Sequence, residues 1–157
     1  MYCSSSPTID KKYQDLAFEL GDAIGSRSWN LVSGGGHISM MGAVARGVRN
    51  SGGHTIGVIP QLLVDIEFAD KESHELQIVG SMRERKGRIE ELFEIWVGRF
   101  LNFHQKPVVV LDPFGLYEPL KTLIDHLEVE GFVKPGQREL LHWCTSIDEA
   151  LDICGGR

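Results

Sequence analysis

The chain has 157 residues, 42% of them hydrophobic and 24% charged. That is enough for one domain with an apolar core, and too apolar for intrinsic disorder. Sixteen Lys and Arg against 22 Asp and Glu give a formal net charge of −6, which speaks against general nucleic-acid binding, since counterion release needs a basic face. No apolar run approaches the roughly 18 residues of a membrane span. No basic start followed by an apolar stretch marks a secretory signal. Cys3, Cys144 and Cys154 form an odd set without CxxC spacing, so the expectation is reduced thiols and a cytoplasmic location.

Met1–Cys3 reads as the end of a strand that meets the polar turn Ser4–Pro7. Tyr13, Leu16, Ala17, Leu20, Ala23 and Ile24 recur at helical spacing and predict one buried helix face. Trp29–Val32 predicts a short strand, stopped by Ser33-Gly34-Gly35-Gly36. A helix follows over Met40–Arg49, with Met41, Val44, Ala45 and Val48 inward and Gly52-Gly53 as its stop. Thr55–Ile59 is β-branched and apolar and reads as a buried strand closed by Pro60. Residues 61–74 are acidic and weakly patterned and read as a loop. Leu76–Val79 predicts another strand. Met82–Phe100 reads as helical throughout, with Met82, Ile89, Phe93, Trp96 and Phe100 on one side.

Pro107–Leu111 is the clearest strand in the chain, turned by Asp112-Pro113-Phe114-Gly115. Tyr117–Glu130 predicts a helix ended by Gly131. Leu140–Cys144 predicts the last strand, and Ser146 with Glu149 three residues on forms a capping box for a terminal helix. Strands alternating with helices imply an α/β fold, a Rossmann-like doubly wound, mostly parallel sheet with helices on both faces. No repeat or linker divides residues 1–157, so the expectation is a single domain.

Gly34, Gly35 and Gly36 stand between a strand and a helix, with Gly42 one turn in. Glycine lets backbone approach a ligand closely, and the helix beyond it offers free N–H groups and the positive end of its dipole. Together they suit a phosphate at the carboxyl end of a parallel strand, with Ser4, Ser5 and Ser6 as further donors. The spacing is neither G-x-G-x-x-G nor the P-loop pattern. A tight turn that needs glycine only for packing is the other reading.

Residues 82–94 carry many charges. A solvated amphipathic helix is the plain reading. The functional reading takes Arg85 as a bidentate phosphate or substrate clamp and Glu91 as a catalytic carboxylate. One continuous helix resists that, because six residues at about 100° each put the two side chains about 240° apart. His37 and Asp112 read as loop and turn residues that could touch a ligand. His54, His74, His104, His126 and His142 are scattered, with no metal spacing. Trp96 and Phe100 read as core or as a dimer contact, and no Ser or Cys sits in a nucleophile elbow.

The sequence resembles the LOG ("lonely guy") family of cytokinin-activating phosphoribohydrolases, long mislabelled lysine decarboxylases. Six stretches carry the resemblance: Tyr2–Ser6, Leu31–Gly36 with Met40–Ala45, Gly52–Pro60, Met82–Lys86, Asp112–Leu120 and Glu130–Phe132. One departure stands out. The family's P-G-G-x-G-T-x-x-E motif is absent, and only Gly87-Arg88-Ile89-Glu90-Glu91 is similar to its tail, with Arg88 in the Thr place. Family members carry a strand and loop there, an insert of roughly 15–20 residues, the size a parallel crossover would need. Either the segment is deleted, or residues between Lys86 and Gly87 are missing from view. The cost of losing a central strand, set against the roughly 5–15 kcal/mol that holds a domain together, favours the second. Arg85 and Glu91 would then lie on separate elements and could converge.

The resemblance implies hydrolysis of the N-glycosidic bond of adenine-type nucleoside 5′-monophosphates, giving free base and ribose 5-phosphate. It implies Glu91 as the carboxylate facing the ribose and Arg85 as the group that orients the substrate. Ser4, Gly34, Gly35, Gly36, Met40, Met41, Gly42, Lys86, Gly87 and Arg88 would bind substrate or its phosphate. It implies a homodimer with a contact through the helix bearing Trp96, and no metal or redox cofactor. No pyridoxal phosphate site supports a decarboxylase. The alternative is a Rossmann-like module that holds a nucleotide or a molybdenum cofactor without chemistry.

Overall fold

The computed structural model describes residues 1–66, 68–81 and 92–156. The chain divides into two compact units, Met1–Glu90 and Glu91–Arg157.

The first unit is built on three parallel strands in the order β1-β2-β3: β1 (Asn30–Ser33), β2 (His54–Pro60) and β3 (Glu75–Val79). The register runs from Asn30 opposite His54 to Ser33 opposite Gly57, and from Ile56 opposite Glu75 to Pro60 opposite Val79. Helix α1 (Lys11–Ser26) is capped by Asp10, whose carboxylate accepts from the Lys12 N–H. Helix α2 (Ser39–Asn50) joins β1 to β2. Ala17, Leu31, Ala43, Val44, Ala45 and Val48 form the core between them.

Glycines decide how closely these helices meet. A Cβ on Gly21 would lie 2.1 Å from the Val44 carbonyl oxygen, and one on Gly47 would lie 2.1 Å from that of Phe18. The two backbones therefore touch, a contact that hydrophobic periodicity does not reveal. Two further details differ from the sequence expectation. Met1–Cys3 forms no strand, although the terminal amine donates to the Val32 carbonyl at 2.9 Å and Met1 and Cys3 pack on the α1/α2 core. Residues 61–74 are not all loop, because α3 (Gln61–Asp65) occupies the start.

The second unit pairs β4 (Val108–Leu111) in parallel with β5 (Leu141–Cys144), Val108 opposite Leu141 and Leu111 opposite Cys144. It also holds α4 (Leu92–Phe100), α5 (Glu118–Val129) and α6 (Ile147–Gly155). Trp96, Val108, Val110, Ile124, Val133 and Leu141 are its core. Trp96 is 3% exposed, and its indole N–H donates to the Gln137 carbonyl at 2.7 Å. Phe93, expected on the same inward side, is 53% exposed. The capping box forms with a shifted partner: Ser146 Oγ accepts from the Glu149 N–H, and the Glu149 carboxylate accepts from the Thr145 N–H. The mostly parallel, helix-flanked architecture is the α/β, Rossmann-like class that the alternation predicts.

Candidate functional site

The glycine loop leaves β1 at its carboxyl end. Gly35 has φ +71°, and a Cβ there would lie 3.2 Å from both Ile59 Cβ and Val58 N, so the loop passes directly over β2. The segment before β3 holds it from the other side. The Asp70 N–H donates to the Gly35 carbonyl at 2.8 Å, and the His37 N–H donates to the Phe68 carbonyl at 3.0 Å. Gly42 serves the same compactness, since its missing side chain leaves room for the His37 carbonyl. The Gly36 N–H donates to Met41 Sδ at 3.1 Å, and Met40 packs on the α1/α2 core. Part of the glycine pattern is therefore explained by packing.

The head of α2 is different. Ile38 stands at the N-cap and supplies no side-chain cap. Among the described residues, the N–H groups of Ser39, Met40 and Met41 take no hydrogen bond. A helix end that leaves such donors open is a ready anion seat. Ser39 adds two anomalies that sequence reading missed. Its φ is +54°, a left-handed conformation that costs a residue with a side chain about 1–2 kcal/mol. Its Oγ is buried and, among the described residues, has no partner, a deficit of about 1–3 kcal/mol. Nothing in the sequence sets this serine apart from an ordinary turn serine.

Charge around the loop is unevenly paired. Arg49 donates to Asp70 at 2.8 Å and to Glu72 at 3.0 Å, which consumes both carboxylates. A cavity of about 430 Å³ lies between His37, Gly42 and Arg46 on one side and Ala69–Glu72 on the other. Among the described residues, Arg46 and Lys71 on its walls make no ion pair.

The other candidates sort as follows. Ser4 is half-buried, and its Oγ accepts from the Ser6 N–H at 3.1 Å, while Ser5 and Ser6 are exposed. Asp112 is a turn residue: its two carboxylate oxygens accept from the N–H groups of Leu116 at 2.9 Å and Tyr117 at 2.8 Å. His54 and His74 are not scattered. Their rings stack at 4.6 Å, and His74 Nδ1 accepts from the Thr55 N–H at 3.2 Å. No group of three potential ligands that could hold a metal occurs among the described residues. Arg85, Lys86, Gly87, Arg88 and Glu91 lie outside the described residues.

The fold and this loop define a class, a Rossmann-like α/β protein with a glycine turn at the carboxyl end of a parallel strand. Solved structures share that fold. The molybdenum cofactor carrier protein of Chlamydomonas reinhardtii matches with a TM-score of 0.66 at 19% identity, over 94% of this chain and 88% of that one. The molybdenum cofactor binding protein of Rippkaea orientalis matches with a TM-score of 0.67 at 16% identity, over 95% and 90%. At such identities the likeness is one of fold alone.

The family model described as "SLOG cluster4 family" matches residues 4–89, and the one described as "Possible lysine decarboxylase" matches residues 87–154. The cytokinin riboside 5′-monophosphate phosphoribohydrolase of Mycobacterium tuberculosis is 39% identical, with 98% of this chain and 91% of that protein covered. That of Mycobacterium marinum is 37% identical over the same shares. An Arabidopsis thaliana relative of the same name is 36% identical, over 89% of this chain and 69% of that protein. The chain belongs to the cytokinin riboside 5′-monophosphate phosphoribohydrolase family, the LOG family that its motifs resemble.

The comparison also measures a shortfall. The M. tuberculosis match spans 171 positions, while 98% of 157 residues is about 154, so about 17 positions stand opposite no residue here. The Arabidopsis match gives the same difference, 157 positions against about 140 residues.

Proposed function

We propose that this protein hydrolyses the N-glycosidic bond of an adenine-type, cytokinin nucleoside 5′-monophosphate, releasing free base and ribose 5-phosphate. The likeness to the M. tuberculosis phosphoribohydrolase, along nearly the whole of both chains, carries this reading. Water adds to the ribose anomeric carbon, the bond to the base breaks with its electron pair leaving on the base, and the base takes up a proton. Departure of the base builds positive charge on the sugar, which a carboxylate stabilises.

In this reading the open N–H groups of Ser39, Met40 and Met41 receive the 5′-phosphate beside Gly34, Gly35 and Gly36, with Ser4 nearby. Glu91 faces the ribose, Arg85 orients the nucleotide, and Lys86, Gly87 and Arg88 flank it. Residues 1–157 act as one cytoplasmic nucleotide-binding domain. It works as a homodimer whose contact uses the outward residues of α4, Phe93 and Val97, and not the buried Trp96.

The test incubates purified protein with AMP or isopentenyladenosine monophosphate and follows release of the free base by liquid chromatography. Base should accumulate with the wild type. Glu91→Gln should lose turnover while still binding nucleotide, and unchanged turnover in that variant would refute the assignment of Glu91. A second reading, a carrier that binds a nucleotide or a molybdenum cofactor without chemistry, is favoured by the shortfall of about 17 positions and by Arg88 in the Thr place. Binding of nucleotide without any base release would establish it.

A further inference from the structure

We infer that the Ser39 hydroxyl is a direct ligand of the phosphate monoester received at the head of α2, a role that rests on the phosphate seat proposed above. A helix N-terminus alone would not identify a ligand group. Here a second observation is independent of it. Ser39 is only 9% exposed, and its Oγ finds no hydrogen-bond partner. Buried hydroxyls nearly always have one, and each exception calls for a cause.

The backbone sharpens the point. At φ +54° glycine would sit without strain, yet the sequence carries serine. What serine adds over glycine at this position is one methylene and one O–H. The O–H is buried and, among the described residues, makes no hydrogen bond that would offset the strain. Strained and unsatisfied residues of this kind cluster where a ligand completes the structure.

The ligand class follows from geometry. A serine hydroxyl ends one bond beyond Cβ, so it cannot leave the first turn of its helix. It therefore shares that turn with the open amides of Ser39, Met40 and Met41. Three N–H donors, with a hydroxyl able to donate a fourth hydrogen bond, suit an oxygen-rich anion. A phosphate monoester offers three terminal oxygens for the four donors.

The test uses ribose 5-phosphate as probe, since it has no glycosidic base to lose, with binding followed by calorimetry. Wild type, Ser39→Ala and Ser39→Gly are compared, each with a thermal melt. The wild type should bind ribose 5-phosphate saturably. Both variants should bind it about tenfold or more weakly, the range expected for loss of a hydrogen bond to a charged acceptor. Ser39→Gly should melt no lower than the wild type, because glycine adopts the required φ freely, so its weaker binding cannot be assigned to misfolding. Unchanged affinity in both variants overturns the role of the hydroxyl and leaves the phosphate seat standing. A wild type that does not bind ribose 5-phosphate overturns both together.

Discussion

The backbone of His37 folds back onto Gly42 so closely that a Cβ on Gly42 would lie 1.7 Å from the His37 carbonyl oxygen. The obstructing atom is backbone, so it cannot swing aside as a side chain would. Gly42→Ala should therefore open the loop and cost about 3 kcal/mol or more in a urea melt. Gly52→Ala is the control. Gly52 has φ +73° with nothing within 4 Å of a Cβ, so it should cost only the left-handed strain, about 1 kcal/mol. Equal losses in the two variants would show that crowding at Gly42 is not the determinant.

Arg49 ties α2 to the segment before β3 through two carboxylates. Its side chain is 17% exposed and that of Asp70 only 6%. Arg49→Ala leaves Asp70 buried with its Glu72 N–H and Ser73 Oγ bonds but no cation. Loss of one partner of a buried pair costs about 3–5 kcal/mol, more than replacing both. Arg49→Met combined with Asp70→Leu should therefore be less destabilised than Arg49→Ala alone, which chemical denaturation of the set will show.

Asp22 fastens the end of α2 to α1. It accepts from Ser51 Oγ at 2.5 Å and Asn50 Nδ2 at 2.8 Å, and those bonds hold its carboxyl below the usual Asp value. A lowered folded pKa adds stability above the unfolded value, near 3.8, and that stability is lost as pH falls through the folded pKa. Asp22→Ala should lower the melting temperature at neutral pH and shrink the difference from the wild type toward pH 3. A constant difference across that range would contradict the linkage.

Burial raises the thiols of Cys3 and Cys144 to about 11. Only the thiolate alkylates readily, so at pH 8 both should resist iodoacetamide in the folded protein. Exposed Cys154 should label first even though burial raises its pKa as well, and unfolding should release the other two. Peptide mapping by mass spectrometry distinguishes the three.

The elements were largely legible in the sequence because burial follows periodicity. Val108, Val110, Val44 and Val48 announced themselves by spacing, and Ser146 with Glu149 announced a helix start. What escaped was chemistry that depends on pairs distant along the chain. Gly21 and Gly47 carry no hydrophobic signal, yet they let two helices meet at backbone distance. His54 and His74, twenty positions apart, stack only because β2 and β3 bring their leading ends together. Ser39 hid for another reason: serine is ordinary in a turn, and only its positive φ and an unanswered hydroxyl mark it. Asp112 was readable as a turn residue, since β4 ends there and Leu116 and Tyr117 need an acceptor.

Between them, Phe68 and Asp70 stitch the glycine turn to its neighbour by main-chain bonds at Gly35 and His37. The turn is thus shaped in advance by its own main-chain bonds. A phosphate received there, as proposed, would find little ordering entropy left to lose, and swapping side chains along that stitch leaves its main-chain bonds untouched.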